Sequence, residues 1–267
     1  MKYIFNIYIN GSFHLAIMSI FLLKITAIDW EVNLSNQLIF FVFFSTVFTY
    51  NFIKYLDFII LNKFKVPLGV KFIVIVSLLF LLGSMILFFL FDSINKTIII
   101  FGILIIMIYV FPILNNNKNI RNKSGVKIYW VAIAWVVITV ILPLSKNIQI
   151  GNLNFFRYVI HRFLWILVAT IPFEIRDLSS DSYFLKTLPQ KFGIRGSKVF
   201  GMILITVMIL IFPYDILDNN LFLMHLFLIL SLTFFLLKAK INQNKYYSSF
   251  WVESIPLGCW IIFHYFG

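Results

Sequence analysis

Three stretches of this chain, residues 72–91, 97–114 and 221–237, run without a single Asp, Glu, Lys or Arg. A helix rises about 1.5 Å per residue, so roughly 20 residues cross a hydrocarbon core about 30 Å thick, and each stretch is close to that length. In hydrocarbon only the α-helix and the closed barrel give every backbone N–H and C=O a partner. A barrel would be written as segments of about ten residues alternating apolar and polar, and no such segments occur. The chain therefore reads as an all-α integral membrane protein. Composition agrees: 61% of the 267 residues are hydrophobic and 12% are charged, against about 25% charged in a soluble domain. At most about ten crossings fit this length, so residues 1–267 are expected to form a single transmembrane domain with no soluble one.

Apolar continuity predicts nine helices, over residues 10–28, 37–61, 72–91, 97–114, 128–144, 156–175, 199–213, 220–237 and 249–265. Lys2 and the apolar stretch after Gly11 lack a small-residue cleavage site, which predicts a retained first helix. The loops after helices two, four, six and eight hold 15 of the 22 basic residues, among them Lys63, Lys65, Lys118, Arg121, Lys123 and Lys127. The intervening loops carry Asp29, Glu31, Asp92, Asp215 and Asp218. By the positive-inside rule the basic loops are cytoplasmic, with the N-terminus inside and the C-terminus outside a bacterial-type cell membrane. The net charge of +12 is thereby explained by orientation and anionic-lipid contacts, not by nucleic acid. Pro112, Pro172 and Pro256 interrupt or end helices, as either plain kinks or the edge of a polar pocket. Cys259, the lone cysteine, has no partner for an internal disulfide.

The chemically informative stretch is Phe173-Glu174-Ile175-Arg176-Asp177-Leu178-Ser179-Ser180-Asp181, followed by Lys186-Thr187-Leu188-Pro189. Glu174, Asp177 and Asp181 stand at i, i+3 and i+7 and share one face if the sixth helix runs on past the membrane. Such a face suits Mg²⁺, a hard ion that bridges one or two carboxylates to substrate phosphates. Arg176, Lys186 and Lys191 offer charge-assisted bonds to phosphate oxygens. On spacing alone, a solvated loop whose acids and bases pair locally is an equal alternative.

Residues 173–193 resemble the second acidic motif of the UbiA-type intramembrane prenyltransferases, D-x-x-D-x-x-x-D followed by a Lys-Thr-Leu-Pro-like segment and a glycine. The resemblance implies about nine transmembrane helices around a central cavity, and Mg²⁺-dependent transfer of an isoprenyl group from its diphosphate to an aromatic or other lipophilic acceptor. It implies Asp177, Asp181 and Lys186 as catalytic residues, and Glu174, Asp177 and Asp181 as metal ligands. Arg176, Lys186, Asn51 and Tyr109 would meet the diphosphate, and Glu253 would line the cavity. The first motif departs from the pattern N-D-x-x-D-x-x-x-D: Asn51 is in register, but Phe52, Tyr55 and Ile59 stand where acids would be, and Asp57 is out of register. Tyr109 matches the tyrosine of the family's Y-x-x-x-K element, with Ile113 in place of the lysine and Lys118 further on.

Arg157, His161 and Arg162 near the start of the sixth helix are expected to anchor it at the interface, with a proton relay as the alternative. His14, His225 and His264 are too scattered for a metal site. Two functions remain: a UbiA-like prenyltransferase whose partners are a prenyl diphosphate, a lipophilic acceptor and membrane lipid, or a degenerate relative that binds or moves an isoprenoid or lipophilic molecule. An ion-coupled transporter fits less well, lacking repeats and deep charges.

Overall fold

The computed structural model describes residues 2–61, 67–111, 125–146, 152–181, 185–212 and 218–266, and all the elements they form are helical. They fall into two compact units, Met1–Lys96 and Thr97–Gly267.

The first unit holds α1 (Lys2–Asn10), α2 (Phe13–Asp29), α3 (Asn36–Leu61) and α4 (Leu68–Phe89). The sequence predicted one helix from residue 10; instead Ser12, in the left-handed region at φ 60°, turns the chain and separates α1 from α2. α2 packs on α3, and α3 on α4. The Phe80 ring of α4 meets Phe44 and Phe43 of α3 and Phe13 of α2 at centroid distances of 5.0, 5.7 and 6.0 Å. The outer side of α4 carries Leu79, Ile86 and Phe89, exposed by 61%, 66% and 73%. Such a surface suits lipid.

The second unit takes up most of α5 (Ser93–Val110), then α6 (Lys127–Val136), which passes through a π-helical turn, Val137–Ile141, into α7 (Leu142–Leu144). Pro143, in α7, has no N–H to offer the Thr139 carbonyl inside that turn. α8 (Leu153–Asp177) packs against α6, α9 (Leu188–Ile211) and α10 (Asn219–Lys238). It is the most buried of the long apolar helices, with Ile171 and Ile175 fully enclosed.

α9 starts well before the predicted residue 199. Thr187 caps it, its N–H donating to Gln190 Oε1 at 3.0 Å, and Pro189 lies in the first turn, where a missing N–H costs nothing. Its axis breaks at Gly193, whose φ of 68° and ψ of 174° are open to glycine alone. The last predicted helix is divided: a π turn, Tyr247–Val252, gives way at Glu253 and Ser254 to α11 (Ile255–Tyr265). Pro256 stands in the first turn of α11 rather than inside a continuous helix.

Among the described residues seven helices are long and apolar enough to cross a membrane: α3, α4, α5, α6 with α7, α8, α9 and α10. The 17-residue α2 and the divided last segment account for the other two predicted spans. The protein is a multi-pass, all-helical membrane protein.

Candidate diphosphate and metal site at the end of α8

α8 ends at Asp177, so the three acids do not share a helical face as the spacing predicted. Ser180 and Asp181 instead fold back in a turn, their N–H groups donating to the Asp177 carbonyl at 2.9 and 2.8 Å, with the Ser180 hydroxyl on the same oxygen at 3.0 Å. Serine pairs of this kind compete with helix continuation by offering local side-chain bonds. The turn still leaves the three carboxylates close enough to repel one another.

Each has a different environment. Glu174 is buried on α8 and lies 3.8 Å from Nζ of Lys127, the first residue of α6. Asp177 is gripped by its neighbour: Arg176 Nε donates to Oδ1 at 2.7 Å and Nη2 to Oδ2 at 3.0 Å, while Nη1 reaches Ser249 Oγ at 3.2 Å. Asp181 keeps Oδ2 buried with no hydrogen-bond partner among the described residues. Burial, reinforced by the Asp177 charge, pushes the Asp181 carboxyl above its ordinary value against the opposing pull of Lys127 and Arg176.

A small open pocket adjoins these groups, lined by Gly125, Lys127, Ile128, Glu174, Leu185, Thr187 and Leu188. The Gly125 N–H donates to the Leu185 carbonyl at 2.9 Å, tying the start of α6 to the segment before α9. A Cβ at Gly125 would stand 2.8 Å from Lys191 Nζ, so this glycine lets the lysine approach. Lys186 is exposed, with a left-handed backbone at φ 44°. Loop 239–246 is fastened to the same end of α8: Gln243 Nε2 donates to the Pro172 carbonyl at 3.1 Å and to Ser248 Oγ at 2.6 Å.

Among the described residues, no three His, Cys, Asp or Glu side chains converge into a cage for a metal ion. The arrangement fits an ion that shares one or two carboxylates with water and phosphate oxygens, which is how Mg²⁺ is ordinarily held. The unpaired Asp181 oxygen is suited to that task, and the surrounding cations are suited to the phosphate.

No family model matches the chain, and no curated protein sequence matches it. Its fold has a counterpart among solved structures: a digeranylgeranylglyceryl phosphate synthase, similar over 98% of this chain and 98% of that one, with a TM-score of 0.57 and 15% identity. That protein is a UbiA-type intramembrane prenyltransferase. This chain has the UbiA-type fold.

Within that fold the degenerate first motif has other work. Asn51 is 3% exposed. Its Nδ2 donates to the Gly11 carbonyl at 2.9 Å and Ser77 Oγ at 2.8 Å, and its Oδ1 accepts from Ser12 Oγ at 2.8 Å. Lys54 Nζ and the Tyr55 hydroxyl both donate to the Asn10 carbonyl at 3.0 Å. The strip where the UbiA pattern has its first acids thus clasps the elbow between α1 and α2. The amide hydrogens of Asn51 are both engaged there rather than offered to a phosphate. Tyr109 is buried at the end of α5, and Glu253 is half-buried where the last π turn meets α11. The Asp57 side chain and residues Lys63, Lys65, Pro112, Ile113, Lys118, Arg121, Lys123 and Asp215 lie outside the described residues.

The expectation of interfacial anchoring fails for His161 and Arg162, which are 2% and 1% exposed. Arg162 donates to the Tyr158 hydroxyl at 2.8 Å and Thr139 Oγ1 at 3.4 Å, and its guanidinium lies 4.8 Å from the centre of a Trp165 ring. His161 packs on Phe212 and His225 at 4.7 and 5.7 Å. These two side chains face the bundle, where aromatic rings and two hydroxyls take the place of headgroups, while Arg157 is exposed.

Sequence reasoning missed Lys127, Gln243 and Ser249 as neighbours of the acidic segment. Lys127 was absorbed into a basic loop. The other two carry no local signal, whereas Gln190, three residues after Thr187, is a readable helix-start signature.

Proposed function

We propose that this chain is an intramembrane prenyltransferase working at the polar end of α8, on the cytoplasmic side by the positive-inside rule. The reading is carried by one observation: in a fold shared with a prenyltransferase, Glu174, Asp177 and Asp181 gather with Lys127 and Arg176 at a single helix end. The substrates are a prenyl diphosphate and an aromatic or other lipophilic acceptor. The C–O bond to the diphosphate breaks, its electron pair leaves with pyrophosphate, and the allylic carbon takes up the cationic charge. The acceptor's nucleophilic atom bonds to that carbon and gives up a proton.

Lys127, Arg176, Lys186 and Lys191 neutralise the phosphate oxygens, most strongly as the leaving charge develops. Asp181, with Asp177 or Glu174, would hold Mg²⁺, which when bound screens the leaving group. Apolar helix surfaces keep water from the allylic cation, and nearby aromatic faces favour it.

A second reading, a relative that binds isoprenoids without transfer, is favoured by Phe52, Tyr55 and Ile59 in place of first-motif acids and by the engaged amide of Asn51. Pyrophosphate release by purified protein separates the two. With a panel of prenyl diphosphates and lipophilic acceptors, Mg²⁺-dependent release is expected, and an Asp177→Asn, Asp181→Asn double variant should abolish it. Diphosphate binding without release would establish the second reading.

A further inference from the structure

We propose that Arg176 is an exchangeable counter-cation, one that leaves Asp177 for the oxygens of a phosphorylated ligand and so frees Asp177 to meet the divalent ion. This inference rests on the function proposed above. Adjacent residues on a helix point about 100° apart and do not normally face each other. Arg176 nevertheless folds its guanidinium onto Asp177, the last residue of α8. The resulting fork uses both carboxylate oxygens, so a metal ion and the guanidinium compete for the same atoms.

Two features make the exchange feasible. The pair is half-buried, with the Arg176 and Asp177 side chains 27% and 33% exposed, so water and ions can reach both partners as they separate. The guanidinium is also held independently, by Ser249 Oγ at 3.2 Å and by the Phe173 ring 5.2 Å from its centre. It can therefore let go of the carboxylate without leaving the site. The planar fork that matches a carboxylate matches two phosphate oxygens equally well. Metal and diphosphate binding then favour each other, since each relieves the cost of separating Arg176 from Asp177.

The test is Mn²⁺ affinity of the purified full-length protein without phosphate ligand, read from the free-ion paramagnetic resonance signal. Arg176→Lys keeps the charge and loses the fork, Arg176→Met loses both, and Lys127→Met removes a nearby charge that does not occupy Asp177. Exchange requires Arg176→Lys and Arg176→Met each to bind Mn²⁺ about tenfold more tightly than the wild type, a coupling of ordinary size. Tightening in Arg176→Met and Lys127→Met but not Arg176→Lys would reduce the effect to charge and overturn the proposal. Unchanged affinity in all three would overturn it as well. Pyrophosphate release by the wild type separates the two ideas. Release with unchanged Mn²⁺ affinity in Arg176→Lys sinks the exchange alone; the tenfold gain without release sinks the transferase reading alone.

Discussion

A carboxylate that is 7% exposed beside a lysine that is 36% exposed makes an uneven pair, and Glu174 and Lys127 are such a pair. Removing the lysine strands a charge that has almost no water, whereas removing both leaves a neutral, packable site. Lys127→Met is expected to cost about 1–2 kcal/mol, reduced from the fully buried case because one partner is solvated. Adding Glu174→Gln should recover most of that loss, as thermal unfolding in detergent would report. Asp181 makes a pH prediction. Its carboxyl is held above the usual 3.8 by burial and by Asp177, so the folded chain keeps a proton that the unfolded chain has lost. Its contribution to stability therefore declines as pH rises from 3.8 through that higher value. A divalent ion on the ionised carboxylate works in the opposite direction. Mg²⁺ should raise the melting temperature at about pH 7 and lose its effect near pH 4, and Asp181→Asn should remove the difference; a shift that persists in that variant would put the ion elsewhere. Asp177 and Asp181 were legible in the sequence because their types and spacing are local. Lys127 was not, since its contact with Glu174 depends on how α6 packs on α8, a tertiary arrangement that no local pattern announces.

At the level of elements, the sequence revealed the apolar spans but not their interruptions. The break in α9 follows from one residue. Nothing stands within 4 Å of where a Gly193 Cβ would be, so the penalty of Gly193→Ala is purely one of backbone conformation. It should cost about 1–3 kcal/mol. By altering the direction of the first turn, which carries Gln190 and Lys191, it should also lower pyrophosphate release more than stability alone predicts. The α1–α2 elbow gives the contrasting case. Asn51→Ala would leave the Gly11 carbonyl and the Ser12 hydroxyl without their partner, a loss of about 2–3 kcal/mol. If Asn51 only holds the elbow, the melting temperature falls while the Mg²⁺ dependence of the remaining release is unchanged; a shifted Mg²⁺ dependence would return Asn51 to the substrate. Hydropathy marked residues 10–28 and 249–265 as uniform helices because it averages over the left-handed Ser12 and the Glu253–Ser254 turn.

For the whole molecule, the alternation of basic and acidic loops assigns an orientation that a chemical map can check. Cys259 is the lone cysteine and is buried, so the native chain offers a quiet background for thiol labelling. Lys240→Cys and Glu31→Cys occupy exposed positions in loops assigned to opposite sides. A membrane-impermeant maleimide applied to intact cells should label the variant at position 31 and spare that at 240, and inverted vesicles should reverse the pattern. Labelling of both from one side would overturn the assigned topology. The enclosure of Arg162 bears on how the chain is built. An arginine at the centre of a lone helix raises its insertion free energy by roughly 2.5–3.5 kcal/mol, and α8 also carries Arg157 and His161. The bond from Arg162 to Thr139 lies on a segment synthesised earlier. During synthesis the earlier segment, residues 127–144, is therefore expected to stay beside the translocon until α8 emerges and to enter the bilayer with it, making partition of α8 a cooperative step rather than a property of its own hydropathy.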